Sequence, residues 1–133
     1  MNLKAVGAAI VAVVLSFAIG WIAGAAGRSA AERETARLQL GQDLVLVRAA
    51  VLQGRVSLFL INFGDASKQF ETARVTAESV QARMRASGDT TGAGKLDAVL
   101  ASLKDAQRLA ASMDQGAQSA ADAALKALMS AEK

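Results

Sequence analysis

The chain has 133 residues and a formal net charge of +3, with 53% hydrophobic and 4% aromatic residues. It contains no Cys and no His, which excludes a disulfide framework and removes the thiolate nucleophile and the imidazole base. Acidic and basic residues alternate without forming a basic stripe, so no nucleic-acid partner is expected. We expect no catalytic activity and no cofactor or metal.

The composition predicts an all-α protein. No Pro interrupts the chain, and Pro is the residue that most strongly breaks helices. Aromatic residues are few and Ala is abundant, whereas sheets favour β-branched and aromatic side chains.

The N-terminal segment is predicted to be a membrane anchor. Residues 5–27 carry no charge, and as a helix rising about 1.5 Å per residue they cover a hydrocarbon core of about 30 Å. We therefore assign 1–27 to a transmembrane anchor and 28–133 to a helical bundle. The alternative is a cleaved secretory leader, because Lys4 precedes the apolar run and Ala23-Gly24-Ala25 resembles a cleavage site.

A strip of small residues follows one side of this segment. It is suited to close packing with another membrane helix, although an Ala-rich span also produces such a strip by chance. Its members, the predicted membrane-helix packing residues, are Ala8, Ala12, Ser16, Gly20 and Gly24. We expect a homo-oligomer or another helical membrane-associated protein as partner. Lys and Arg are more numerous after the span, which favours a cytoplasmic bundle over a periplasmic or extracellular one.

Residues 38–63 form the longest apolar run outside the anchor. Two stripes repeat there at helical spacing, so a helix would have a wide apolar face that other helices, a second copy or a partner must cover. The first stripe consists of Leu40, Leu44, Val47, Val51, Gly54, Leu58 and Ile61. The second stripe consists of Val45, Leu52, Val56, Phe59 and Phe63.

Turn signals divide the rest of the chain. Asn62-Phe63-Gly64-Asp65 favours a tight reversal with a capping side chain, and 87–94 is a Gly- and Ser-rich stretch that predicts a long loop. A further turn is predicted at 114–116. The predicted architecture is an antiparallel bundle of three to four helices. The helices are expected at 28–62, 65–86, 95–113 and 117–131.

The first hairpin resembles one tetratricopeptide repeat, over residues of about 47–78. Gly54 is followed by Ala66, Phe70 and Ala73 at the spacing of that family. The resemblance implies a helical hairpin in which the small residues let the two helices approach and the aromatic ring packs between them. No second copy follows, so it does not imply the concave peptide-binding surface of an array.

We expect the charged residues near the apolar faces to belong to the solvated surface and not to an active site. Lys68, Glu71, Arg74 and Glu78 form a row of alternating sign, which is typical of a solvated helix face. Arg48 and Arg55 border the second stripe; we expect their stems to cover the edge of the core with their heads in water, the alternative being carboxylates of a partner chain.

The sequence therefore predicts a single-pass membrane protein without catalytic activity, whose bundle serves interaction or assembly beside the bilayer. The alternative is an exported helical protein with a cleaved leader, binding a small apolar ligand or a partner helix.

Overall fold

The computed structural model describes the backbone of residues 3–132 and the side chains of residues 31–132. It confirms the all-helical prediction, since this part of the chain forms four helices and contains no strand. The helices are α1 (Leu3–Phe59), α2 (Phe63–Ala86), α3 (Thr90–Ala111) and α4 (Ala117–Ala131).

The chain divides into two compact units, Met1–Gln39 and Leu40–Lys133. The predicted anchor and its strip of small residues belong to the first unit, and their side chains lie outside the described residues. Within residues 31–132, where side chains are described, no helix has an apolar stretch long enough to cross a membrane.

The turn between α1 and α2 is set by two residues. Ile61 adopts a left-handed backbone with a φ of 58°, which ends α1 at Phe59, slightly before the predicted boundary. Asn62 then caps α2, because its side chain accepts a hydrogen bond of 3.2 Å from the backbone N–H of Asp65. The reversal predicted from the sequence is therefore present, and it is short.

The prediction of a long loop at 87–94 is wrong. Only residues 87–89 connect α2 to α3, with Gly88 at a φ of +86°. The side chain of Asp89 accepts a hydrogen bond of 2.8 Å from the N–H of Gly92 and so caps α3 five residues earlier than expected. Gly92 and Gly94, which suggested a loop, lie instead in the first turns of the helix.

Side-chain contacts establish the helix order around the bundle. The ring of Phe70 on α2 lies against Gly54 on α1, and Gln81 on α2 donates 2.9 and 2.7 Å hydrogen bonds to the Ala93 carbonyl and the Asp97 carboxylate on α3. α3 packs against α4. α4 returns to α1 through an ion pair of 2.8 Å between Arg55 and Asp122. Successive helices are antiparallel, and the four close into a bundle.

Small side chains make up much of the core. Ala occupies ten of its buried positions, which lets neighbouring helices approach closely. The largest fully buried side chains are Phe70, Leu96, Leu103, Leu128, Val47, Val51, Val80 and Val99. The single buried polar residue in residues 31–132 is Gln81, which makes the two hydrogen bonds given above.

Candidate interaction surface

The first stripe of α1 faces the core. Val47 and Val51 are fully buried, and Leu40, Leu44 and Leu58 are half-buried against the same core. Ile61 departs from the stripe: it is 78% exposed, because it lies beyond the end of α1 in the left-handed turn. The inner side of the helix therefore ends at Leu58.

The predicted hairpin-packing residues meet at the α1–α2 contact. Ala66, Phe70 and Ala73 are fully buried on α2. A Cβ atom added to Gly54 would lie 2.5 Å from Cε1 of Phe70, which is too close for any side chain. The absence of a side chain at Gly54 is thus what makes room for the ring.

The second stripe lies on the opposite side of α1, since its members stand about half a helical turn from Val47 and Val51. Val45 is 60% exposed, Leu52 44%, Val56 57% and Phe59 73%. Phe63 is half-buried at the start of α2. The four members on α1 therefore form an apolar face that no other helix of the bundle covers.

Exposed apolar residues are concentrated in this region. In residues 31–132, eleven large hydrophobic side chains are exposed, and eight of them belong to 38–61. Single exposed apolar side chains are common on protein surfaces, whereas a contiguous patch marks an interaction site or an aggregation-prone surface. The concentration makes the outer face of α1 the candidate functional site.

Two arginines border the outer face on the side of α4. Arg48 pairs with Glu132, and Arg55 pairs with Asp122 at 2.8 Å. Both side chains remain partly exposed, at 37% for Arg48 and 28% for Arg55, and their carboxylate partners come from the same chain and not from a second one. Sequence spacing could not show this, because it does not reveal that α4 lies alongside α1.

An apolar tip continues the outer face at one end of the bundle. Leu60 and Ile61 in the α1–α2 turn and Met113 in the α3–α4 turn are 74–78% exposed. Met113, like Ile61, has a left-handed backbone, with a φ of 57°, which is uncommon for a large side chain. A cavity of about 270 Å³ lies there, lined by Leu58, Phe59, Ile61, Phe63, Gln115 and Gln118.

Polar groups elsewhere satisfy one another. In the charged row of α2, Arg74 pairs with Glu78 at 2.6 Å, and its Nε donates a 3.1 Å hydrogen bond to Gln107 on α3. These residues line a surface groove of about 400 Å³. No group of three or more metal-ligating side chains occurs in the described part of the chain. This arrangement is that of a salt-bridged surface.

Comparison of the chain with protein-family models, curated proteins and solved structures gives no match.

Proposed function

We propose that the protein is a membrane-anchored interaction module without catalytic activity, and that the outer face of α1 is its binding surface. The observation that supports the proposal is the exposure of Val45, Leu52, Val56 and Phe59 on a helix whose other side already forms the core. Apolar side chains gain free energy when a partner removes them from water, so a contiguous set of exposed ones is expected where a partner binds.

The anchor part of the proposal rests on the charge-free segment 5–27. Carbonate extraction of membranes should leave the full-length chain in the pellet, because a spanning helix is not released by high pH or by loss of electrostatic contacts. A chain beginning at Ala31 should appear in the supernatant and serves as the control. Full-length chain in the supernatant would contradict the anchor.

The cavity at the tip favours a second candidate function, binding of a small apolar ligand by an exported chain with a cleaved leader. Its volume of about 270 Å³ lies just below the range of about 300–1,000 Å³ usual for ligand pockets. N-terminal sequencing of the mature protein distinguishes the two candidates, because a cleaved chain would begin after the residues around Gly24.

A further inference from the structure

We propose that the partner of the outer face is a second copy of this chain, paired in parallel along α1. The pairing surface, here called the seam, consists of Val45, Ala49, Leu52, Val56 and Phe59. The proposal deepens the proposed function by naming its partner, and it rests on that function for the shared membrane.

The spacing of the seam is that of a coiled coil. Its members follow one another at alternating steps of four and three residues, the repeat that inserts side chains of one helix between those of another. Val45, Leu52 and Phe59 occupy heptad position d, and Ala49 and Val56 occupy position a. In parallel coiled coils, a β-branched residue at a with Leu at d, as in Val56 and Leu52, favours two strands over three or four.

Charge determines the orientation of the pair. The flanking g positions are Arg48 and Arg55, and the e positions include Leu46 and Gln53. In a parallel pair, Arg48 faces the second copy's Gln53, so no like charges meet. In an antiparallel pair g faces g, which brings Arg48 against the second copy's Arg55 and is repulsive. The parallel arrangement is therefore favoured.

The ion pairs within the chain lower the electrostatic cost of pairing in either orientation, and the parallel pair stays preferred because it brings no two guanidinium groups together. Arg48 and Arg55 are already neutralised by Glu132 and Asp122 of α4, so neither guanidinium requires a partner from the other chain. The seam itself carries no charge. Self-association consequently brings together two uncharged faces, with a neutralised edge on one side and the uncharged Leu46 and Gln53 on the other.

The size of the seam decides how strong the pairing is. Its exposed side chains offer on the order of 400 Å² of apolar surface per chain, against about 800 Å² per partner in a standard stable interface. The seam alone therefore gives a weak, transient dimer. Anchoring both chains in one membrane raises their effective concentration and so increases the fraction of chains that are paired.

Cross-linking of single-Cys variants tests the proposal, because the chain has no Cys of its own. The full-length chain, in its native membranes, carries Val45→Cys, Leu52→Cys, Val56→Cys or Phe59→Cys and is treated with a short bis-maleimide. Val75→Cys and Met129→Cys are the controls, since these side chains are 52% and 59% exposed on α2 and α4.

A parallel pair places each seam residue beside its own counterpart, so all four seam variants should form dimers and the two controls should not. Dimers at Leu52→Cys alone would indicate an antiparallel pair and overturn the proposal. Equal cross-linking of the controls would show random collision, and absence of dimers in every variant would show that the partner is not a second copy; either result also overturns it.

A second set of variants separates the seam from the membrane segment. Adding Leu52→Gln with Val56→Gln to the Phe59→Cys chain should slow dimer formation by about tenfold, whereas adding Val75→Gln should not change it. If the rate of dimer formation is unchanged in the first variant, the pairing depends on the membrane segment, and the proposal that the seam pairs is overturned.

Carbonate extraction of the same membranes makes the two failures distinguishable. If the chain stays in the pellet but does not cross-link, the membrane anchor is supported and pairing with a second copy is refuted. Chain found in the supernatant removes the anchor; the cross-linking pattern in that soluble fraction then supports or overturns the seam by the same criteria.

Discussion

The two stripes of α1 run along one helix, yet Val47 and Val51 are fully buried whereas Val45 and Val56 are 60% and 57% exposed. Their side chains are identical, so hydrophobicity does not explain the difference. The number of helices does: in a closed bundle of four, each helix contributes one side to the core. α1 has two apolar sides, and the second stays exposed.

Small side chains decide which stripe faces inward. The first stripe contains Gly54, which accepts the Phe70 ring, and the facing helix presents Ala66 and Ala73. The second stripe contains Leu52 and Phe59, and no helix of the bundle lies opposite them. The Phe70 ring requires a position without a side chain opposite it, and Gly54 supplies that position in the first stripe.

The largest expected difference between the two sides concerns their Phe residues. Phe70→Ala should lower the free energy of unfolding by about 3–5 kcal/mol, because it leaves a cavity in a fully buried position. Phe59→Ala, at a position that is 73% exposed, should change it by less than about 0.5 kcal/mol. Chemical unfolding followed by circular dichroism measures both. Equal effects would mean that the second stripe also belongs to the core.

A matched pair of valines isolates burial from side-chain type. Val51→Ala removes a fully buried side chain and should cost about 1.5–3 kcal/mol, whereas Val56→Ala should have an effect within about 0.5 kcal/mol. The same unfolding measurement, made at a protein concentration where the chain is monomeric, compares them. A larger cost at Val56 would reverse the assignment of the two sides.

Two glycines of α1 should respond to Ala in opposite directions. Gly54→Ala should destabilise the protein by about 1–3 kcal/mol, because its Cβ would overlap the Phe70 ring. Gly41→Ala meets nothing within 4 Å and should stabilise the helix by about 0.5–1 kcal/mol. Thermal midpoints of the two variants give the sign directly, and a stabilising Gly54→Ala would refute the close contact.

The smallest expected effect concerns the ion pairs at the border of the two sides. A double-mutant cycle of Arg55→Gln and Asp122→Asn should give a coupling of about 0.2–1 kcal/mol that weakens with added salt, since Asp122 is half exposed. The pair Arg108–Asp105, at 3.5 Å and more exposed, is the control and should couple less. A coupling free energy well above about 1 kcal/mol would show that α4 is held to α1 mainly by charge.

The sequence predicted the all-α helical bundle and the turn at Asn62, because these depend on local periodicity and on turn residues. The start of α3 was missed, since the Gly residues of 87–94 resemble a loop until Asp89 is seen to cap the helix. The Gly-rich composition predicted a loop there. The capping hydrogen bond that makes the segment helical is evident only from the structure.

The candidate site was predicted in part. Both stripes were evident from spacing, but spacing alone does not say which stripe the bundle itself covers. That choice depends on contacts between distant residues, such as Gly54 with Phe70. The ion pairs of Arg48 and Arg55 with α4 depend on distant residues in the same way.

Contacts between α1 and α4 also affect the order of folding. α1–α2, α2–α3 and α3–α4 join neighbours in the chain, whereas Arg48 and Glu132 are 84 residues apart. Closing so long a loop costs more entropy than forming a hairpin, so this pairing is expected last. Until α4 docks, part of the core-forming side of α1 is accessible together with the outer face. The interval before docking is therefore when the chain is most exposed to misassembly, and a second chain that meets it then encounters the core-forming side as well as the seam.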